Sequence, residues 1–316
     1  MALLGIDLGG TKLAVGVFSE SGKILSKEII PLEGRTAKDV GLLITNAITQ
    51  YRYLHTEAPI ESIGVSIPGI SRIKTGTVWA PNIPGWEDYP LMQEIKQVAE
   101  KIPVIIDSDR ACYILGEHWQ GAAKQINDAI FLAVGTGIGA GILINGTVLR
   151  GAHDIAGAIG WMALDRPFKN KYIACGCFEY HASGEGIAKM AREILNEEQN
   201  YITELKNIAP EKLIASNIFS AYEKNDKVAM LVLQQCIEFW GMAVANLVSL
   251  FNPEKIIFGG GVFGPAIKFI DAIKKEAAKW AQPISMTQVS LEPSALGGDA
   301  GIYGAGFMAL QNKNQQ

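Results

Sequence analysis

The hydrophobic pattern of this 316-residue chain changes period several times, and each change marks an element. An apolar run from Ala2 meets the turn Gly9-Gly10-Thr11 and leaves on alternating residues, so residues 2–30 predict a β-meander with a second turn at 19–22. Val40, Leu43, Ile44, Ala47 and Ile48 fall on one helical face and predict a helix over 37–54. Residues 62–67 read as a strand that must turn at Pro68-Gly69. The stretch 71–88, rich in Pro and Gly and carrying two tryptophans, reads as an irregular loop of the kind that often forms a binding surface. A helix over 90–101, a strand over 104–107 and a helix over 109–121 follow. Residues 163–182 read as irregular, Ser183 as a cap, and 184–251 as several helices, the last (227–251) stopping at Asn252-Pro253. A strand over 255–258 empties into Gly259-Gly260-Gly261 before a helix over 265–280. The final helix starts near 296–299 and reaches Leu310, ahead of a polar tail expected to fray.

One pattern is written twice. Residues 131–144 repeat the arrangement of residues 4–17: an apolar strand, a turn of Gly and Thr, then a strand of small and β-branched residues. Either turn alone is compatible with a hairpin whose glycines only permit a tight bend. Their recurrence in the two halves suggests duplicated lobes facing each other across a cleft. Successive N–H groups in such turns make a concavity suited to phosphate oxygens. The copies differ at one position, Asp7 against Val134, and an acid at a strand end beside a phosphate turn suits Mg²⁺ held through water.

Composition narrows the partners. With 28 Lys+Arg against 32 Asp+Glu the formal charge is −4, and no long basic run is present, which argues against nucleic acid. The start MALLGID lacks a basic leader region, and the apolar stretch 239–251 is short for a bilayer and contains Asn246. The four cysteines do not form a disulfide framework, so a cytoplasmic protein with no membrane partner is expected. Asp109, at the end of a strand and the start of a helix, has two readings. It can be a helix cap that complements the macrodipole, or a carboxylate placed to accept a proton from a substrate hydroxyl.

Together Asp7-Leu-Gly-Gly-Thr-Lys12, Pro68-Gly69, Ala80-Pro-Asn82, Asp109, GTGIGAG, RGAHDIAG and the GGG turn resemble the ROK (repressor, open reading frame, kinase) family of sugar kinases from residue 4 to about 310. The resemblance implies the α/β, actin-like ATPase (ribonuclease H-like) fold, with a duplicated β-hairpin core and an interlobe cleft. The expected lobes are 1–117 with 299–316, and 118–298. It implies transfer of the γ-phosphate of ATP to a sugar hydroxyl, position 6 by analogy, and a homodimer. Carried over residue by residue, Gly9, Gly10, Thr11, Lys12, Gly135, Thr136 and Gly137 would hold phosphates, with Asp7 near Mg²⁺. Gly259, Gly260 and Gly261 would lie against the adenosine. Asp109 would be the general base, and Gly69, Asn82, Ser108 and Glu179 would line the sugar site.

The chain departs from the family pattern around the sugar. Ser108 stands where the family has Asn, and Ala158 and Trp161 replace the Glu and His that hold hydroxyls at the anomeric end. That His also ligates zinc in the family, with three cysteines of which only Cys177 has a counterpart here, so zinc is not expected. A makeshift site from Cys175, Cys177 and His181 is the alternative. Trp161 either fills the vacated volume as core or lines the pocket, where its face would pack on a pyranose ring. The second reading favours a glycoside, disaccharide, deoxy- or amino-sugar or cyclitol over plain glucose. Two other functions compete. A sugar-binding repressor would need a helix-turn-helix domain ahead of Asp7, and a non-catalytic sugar sensor would keep the fold without turnover.

Overall fold

The computed structural model describes residues 1–54, 59–197 and 200–314. The chain divides into two compact units, Met1–Asn127 with Gly141–Gly157 and Ser294–Gln316, and Asp128–Ala140 with Ala158–Pro293. In chain order the first elements are β1 (Ala2–Leu8), β2 (Lys12–Phe18), β3 (Ile24–Pro31), α1 (Ala37–Leu54), β4 (Ile60–Ile67), β5 (Ile70–Arg72), β6 (Thr77–Trp79), α2 (Leu91–Ala99), β7 (Val104–Ser108) and α3 (Asp109–Gln120). There follow β8 (Ala129–Val134), β9 (Ile138–Ile144), β10 (Thr147–Val148), α4 (Cys177–Ala182), α5 (Gly184–Glu197), α6 (Ala215–Tyr222) and α7 (Lys227–Phe251). The last are β11 (Lys255–Gly259), α8 (Ile270–Ala277), α9 (Pro283–Gln288), β12 (Ser290–Pro293) and α10 (Ala300–Asn314).

The first sheet runs β3-β2-β1-β4-β7, antiparallel through the meander and then parallel. One face carries α1 and α2: Leu4, Ile6, Val15 and Val65 close on Val40, Ile44 and Ile95, all essentially solvent-free. Each such side chain contributes roughly 1.5–3 kcal/mol by leaving water. The other face carries α3 and α10, with Leu3, Phe18, Trp119 and Ile302 packed together. Here the sheet is bare: Gly5 and Gly64 are register partners, and a Cβ on either would strike the α10 backbone. The helix therefore rests directly on the strands.

The second sheet runs β10-β9-β8-β11-β12, the same order as the first when strands are counted from the start of each copy. The duplication seen in the sequence is thus a duplication of topology. In the second unit α7 is the central helix, with Trp240, Val244 and Val248 fully buried. Its length and apolarity alone would admit a membrane span. Burial of these side chains inside the unit accounts for the same composition. The Asp226 carboxylate caps it from the Ala229 N–H at 3.0 Å, and Asn252 ends it in the left-handed region.

Five sequence expectations change. The stretch 71–88 is not wholly irregular, since β5 and β6 pair within it. Trp86 is core rather than surface: it is 1% exposed, stacks on Tyr89 at 4.6 Å and donates its indole N–H to the Ala37 carbonyl. Residues 163–182 include α4, whose six residues are too few to show a helical period. Ahead of α8, residues 265–269 form a 3₁₀ turn led by Pro265, and α10 continues regularly to Asn314 instead of fraying after Leu310.

Candidate active site

In the first unit the chemistry gathers at the carboxyl ends of β1, β4 and β7. Asp7 is the penultimate residue of β1, opposite Ser66 of β4 in the register, and the Ser66 hydroxyl donates to Asp7 Oδ1 at 2.6 Å. Gly301, in the first turn of α10, leaves room for this carboxylate, because a Cβ there would strike it. Burial raises the Asp7 pKa, the Ser66 hydrogen bond and the Lys12 charge oppose the rise, and Asp299 adds to it. The turn after β1 closes through the Gly9 N–H to the Lys12 carbonyl at 2.9 Å. Nothing lies within 4 Å of where a Gly10 Cβ would be, so packing does not demand glycine there.

Asp109 opens α3 directly after β7. The cap role belongs to its neighbour: Ser108 Oγ accepts the Ala111 N–H at 3.3 Å. Asp109 Oδ1 accepts the Arg110 N–H at 2.8 Å, and the Tyr113 hydroxyl, one turn on, reaches Oδ2 at 3.4 Å. Burial, aided by the charge of Asp7 and opposed by Arg110, pushes its pKa up to about 6. A carboxylate with that pKa is largely ionised at pH 7 yet basic enough to take a proton. Gly69 lies where the chain passes residues 79–80, a Cβ there meeting the Trp79 carbonyl, and its own carbonyl accepts from Arg110 Nη2 at 3.3 Å. Asn82 is exposed on the same loop.

In the second unit the turn after β8 closes through the Gly135 N–H to the Gly137 carbonyl at 2.9 Å. Gly184, at the start of α5, donates to the Gly135 carbonyl at 2.7 Å, and Ser183 Oγ accepts the Gly186 N–H at 3.0 Å as a cap. A cavity of about 870 Å³ opens beside this turn, lined by Gly135 and Thr136, by Lys189 and Arg192 of α5, by Phe219 and by Gly261. Of the three glycines Gly259, Gly260 and Gly261 at the end of β11, only Gly261 lines it. A Cβ on Gly259 would enter the Phe131 ring, and Gly260, at φ 87°, presses on the Val134 backbone.

Glu179 of α4 reaches the same turn from its other side. Its Oε2 accepts the Ile138 N–H at 2.7 Å, and Cβ atoms on Gly137 and Gly160 would stand 2.7 and 2.9 Å from that oxygen. Burial raises its pKa against that hydrogen bond. Ala158 begins the 3₁₀ turn 159–161, and Trp161 is 59% exposed, so it does not fill a core vacancy. Of the makeshift metal set, His181 is committed to other partners. Both His181 nitrogens are engaged, Nε2 with the Tyr172 hydroxyl at 2.9 Å and Nδ1 beside Met190 Sδ at 3.1 Å, and burial lowers its pKa to about 4. Among the described residues no group of three or more His, Cys, Asp or Glu side chains could hold a metal.

Several contributors escaped the sequence reading. Tyr113 was accessible in principle, four residues after Asp109 on a helix. Ser66 is a polar residue in an apolar strand, but nothing local names its partner 59 residues away. Lys189, Arg192 and Gly301 carry no local signal.

Two sheets of one strand order, each with a Gly/Thr hairpin at its head, define the actin-like ATPase fold. Within that class the chain belongs to the ROK family, whose sequence model matches residues 3–312. The glucokinase of Halalkalibacterium halodurans is 33% identical over 321 aligned residues, 98% of this chain and 96% of that one. The glucokinase of Thermotoga maritima is 31% identical over 96% of each chain. A crystal structure of a ROK family glucokinase from Streptomyces griseus, in complex with glucose and AMPPNP, matches at TM-score 0.77 and 28% identity over 98% of this chain and 100% of that one.

Proposed function

We propose that this chain is an ATP-dependent sugar kinase in which Asp109 is the general base. The observation that carries the reading is a carboxylate at the end of β7 with its pKa raised to about 6, in the unit that also holds Asp7 and a phosphate-type turn. The full-length glucokinase relatives support the same activity. Asp109 accepts the proton of the sugar hydroxyl, whose oxygen forms the new bond to the γ-phosphorus as the bond to the β-phosphate oxygen breaks. ADP leaves, and the proton passes from Asp109 to solvent. Gly9 to Lys12 in the first unit and Gly135 to Gly137 in the second each present a turn suited to phosphate oxygens, and phosphoryl transfer needs mainly alignment and neutralised charge.

Asp7 fits Mg²⁺ held through water: one of its oxygens is bound by Ser66, and among the described residues no group of three or more such ligands completes a protein cage. The ion, when bound, supplies charge neutralisation on the phosphates. The cavity beside Gly135 and Gly261 takes the nucleoside, with Lys189 and Arg192 as added cations. The resemblance assigns sugar hydroxyls to Gly69, Asn82 and Ser108 of the first unit and to Glu179 of the second. We place the enzyme in the cytoplasm on its composition and cysteine usage, and as a homodimer on the strength of the resemblance.

Ala158 and the exposed Trp161 offer no acceptor for hydroxyls at the anomeric end, which favours an acceptor substituted or deoxygenated at C1 or C2 over plain glucose. An ADP-release screen over hexoses, amino sugars, glycosides and cyclitols tests both levels. Turnover of a substituted sugar, abolished in Asp109→Ala, supports the reading. Glucose as the best acceptor overturns the substrate assignment, and sugar binding without ADP release indicates a non-catalytic sensor.

A further inference from the structure

A cavity of about 670 Å³ in the first unit is lined by none of the residues assigned above to phosphate, metal or sugar. Its floor is the outer edge of the first sheet: β7 is the edge strand, and Val104, Ile105 and Ile106 line the cavity together with Met92, Leu115 and Val148. Its rim is cationic, with Arg72, Lys74, Lys96 and Arg150 against one lining carboxylate, Asp107. The two guanidiniums are already committed. Arg150 holds Asp107 Oδ2 through Nε at 2.8 Å and Nη2 at 2.6 Å, and Arg72 holds Asp88 at 2.8 Å. Lys74 and Lys96 have no ion-pair partner among the described residues. The rim loop is fastened by the Ile73 N–H to Asp154 at 3.2 Å and by Ser71 Oγ to the Ile106 carbonyl at 3.0 Å.

In a chain of formal charge −4, two unpaired ammonium groups around one concavity are a local excess of positive charge, which a low-dielectric wall focuses. An ammonium is a compact point charge that suits a phosphate dianion. The bidentate mode of carboxylate recognition uses a free guanidinium fork, and both guanidiniums here are already paired. The volume exceeds what a phosphate ion fills and lies in the range of small-ligand sites, and the apolar floor accommodates an organic body.

We propose that this cavity binds a small organic phosphate, a monoester with a sugar- or nucleoside-sized body. The phosphate sits between Lys74 and Lys96 and the body lies on the β7 edge. Asp107 joins the site to the reaction: it lines the cavity, and its Oδ1 accepts the Ser108 N–H at 2.7 Å immediately before Asp109. Occupancy is therefore felt at the strand end that presents the base.

Calorimetric titration of the full chain at low ionic strength with a hexose 6-phosphate, with AMP and with inorganic phosphate tests this directly and needs no turnover. One or both esters bind more tightly than inorganic phosphate, and which of them binds identifies the source. Lys74→Glu with Lys96→Glu weakens ester binding by about tenfold or more while the thermal melt is unchanged. Hydrogen exchange in the parent slows over 71–76 and 104–107 on binding. If the double variant melts early, Lys96→Gln alone replaces it and must still weaken binding. Failure of both esters to bind, inorganic phosphate binding as tightly as either ester, or equal ester affinity in parent and variant overturns the proposal.

Discussion

The two Gly/Thr hairpins share a bend and differ in where their negative charge comes from. In the first the acid is built into the strand, with Asp7 one residue before its end and fixed by Ser66 at 2.6 Å. In the second the strand offers Val134, and the carboxylate arrives from α4, Glu179 binding the Ile138 N–H at 2.7 Å. The glycines follow suit. Gly10 and Gly135 face open space, whereas Gly137 is glycine because the Glu179 carboxylate occupies the room a side chain would need. A duplicated backbone thus supplies two Gly/Thr turns, and the surroundings give each its own carboxylate: one from the strand in the first unit, one from a helix in the second.

The largest test removes the proposed base of the first unit. Asp109→Ala lowers kcat by about 10²–10⁴-fold with little change in the KM for ATP, and steady-state kinetics that retained turnover would remove Asp109 from the role. Next, Asp7→Val makes the first hairpin resemble the second. Turnover drops by about 100-fold or more and the apparent Mg²⁺ requirement rises, whereas an unchanged Mg²⁺ titration would erase the distinction between the two bends. Glu179→Gln raises the KM for the sugar by about tenfold, the loss expected from one hydrogen bond to a charged group, and leaves that for ATP alone. Equal effects on both substrates would contradict the division of labour.

The pH dependence sharpens the first unit's side of the comparison. As the proposed base, Asp109 has to be ionised, so kcat/KM is expected to fall on the acid side of about pH 6 and the limb to disappear in Asp109→Ala. The same shift has a stability sign. The folded-state pKa of about 6 lies above the ordinary 3.8, so the folded protein holds this proton more tightly and loses stability as pH rises between those values. Asp109→Asn is therefore stabilising at pH 8, by about 1–2 kcal/mol once partial exposure is allowed for, and neutral below pH 4. Denaturant melts at the two pH values check it. The smallest effect separates open from packed glycines. Gly10→Ala changes stability by less than about 0.5 kcal/mol while weakening ATP binding. Gly259→Ala, which drives a methyl into Phe131, costs about 1–3 kcal/mol.

Much of this molecule is written locally. The period of the apolar residues marks the meander, α1, α3 and α7, because burying one face imposes a repeat of two or 3.6 on the chain. The repeated hairpin, Asp7 and the strand-to-helix step at Asp109 are legible for a related reason, since a sharp turn after a strand restricts which residues can occupy it. What only the tertiary structure decided are the pairings between distant segments. Examples are Ser66 on Asp7, Glu179 on the Ile138 N–H, the α10 backbone on Gly5 and Gly64, and the exposure of Trp161. Each depends on where a side chain ends after elements far apart in the chain have packed. No local period encodes that destination, because the free energy that fixes it belongs to the packed whole.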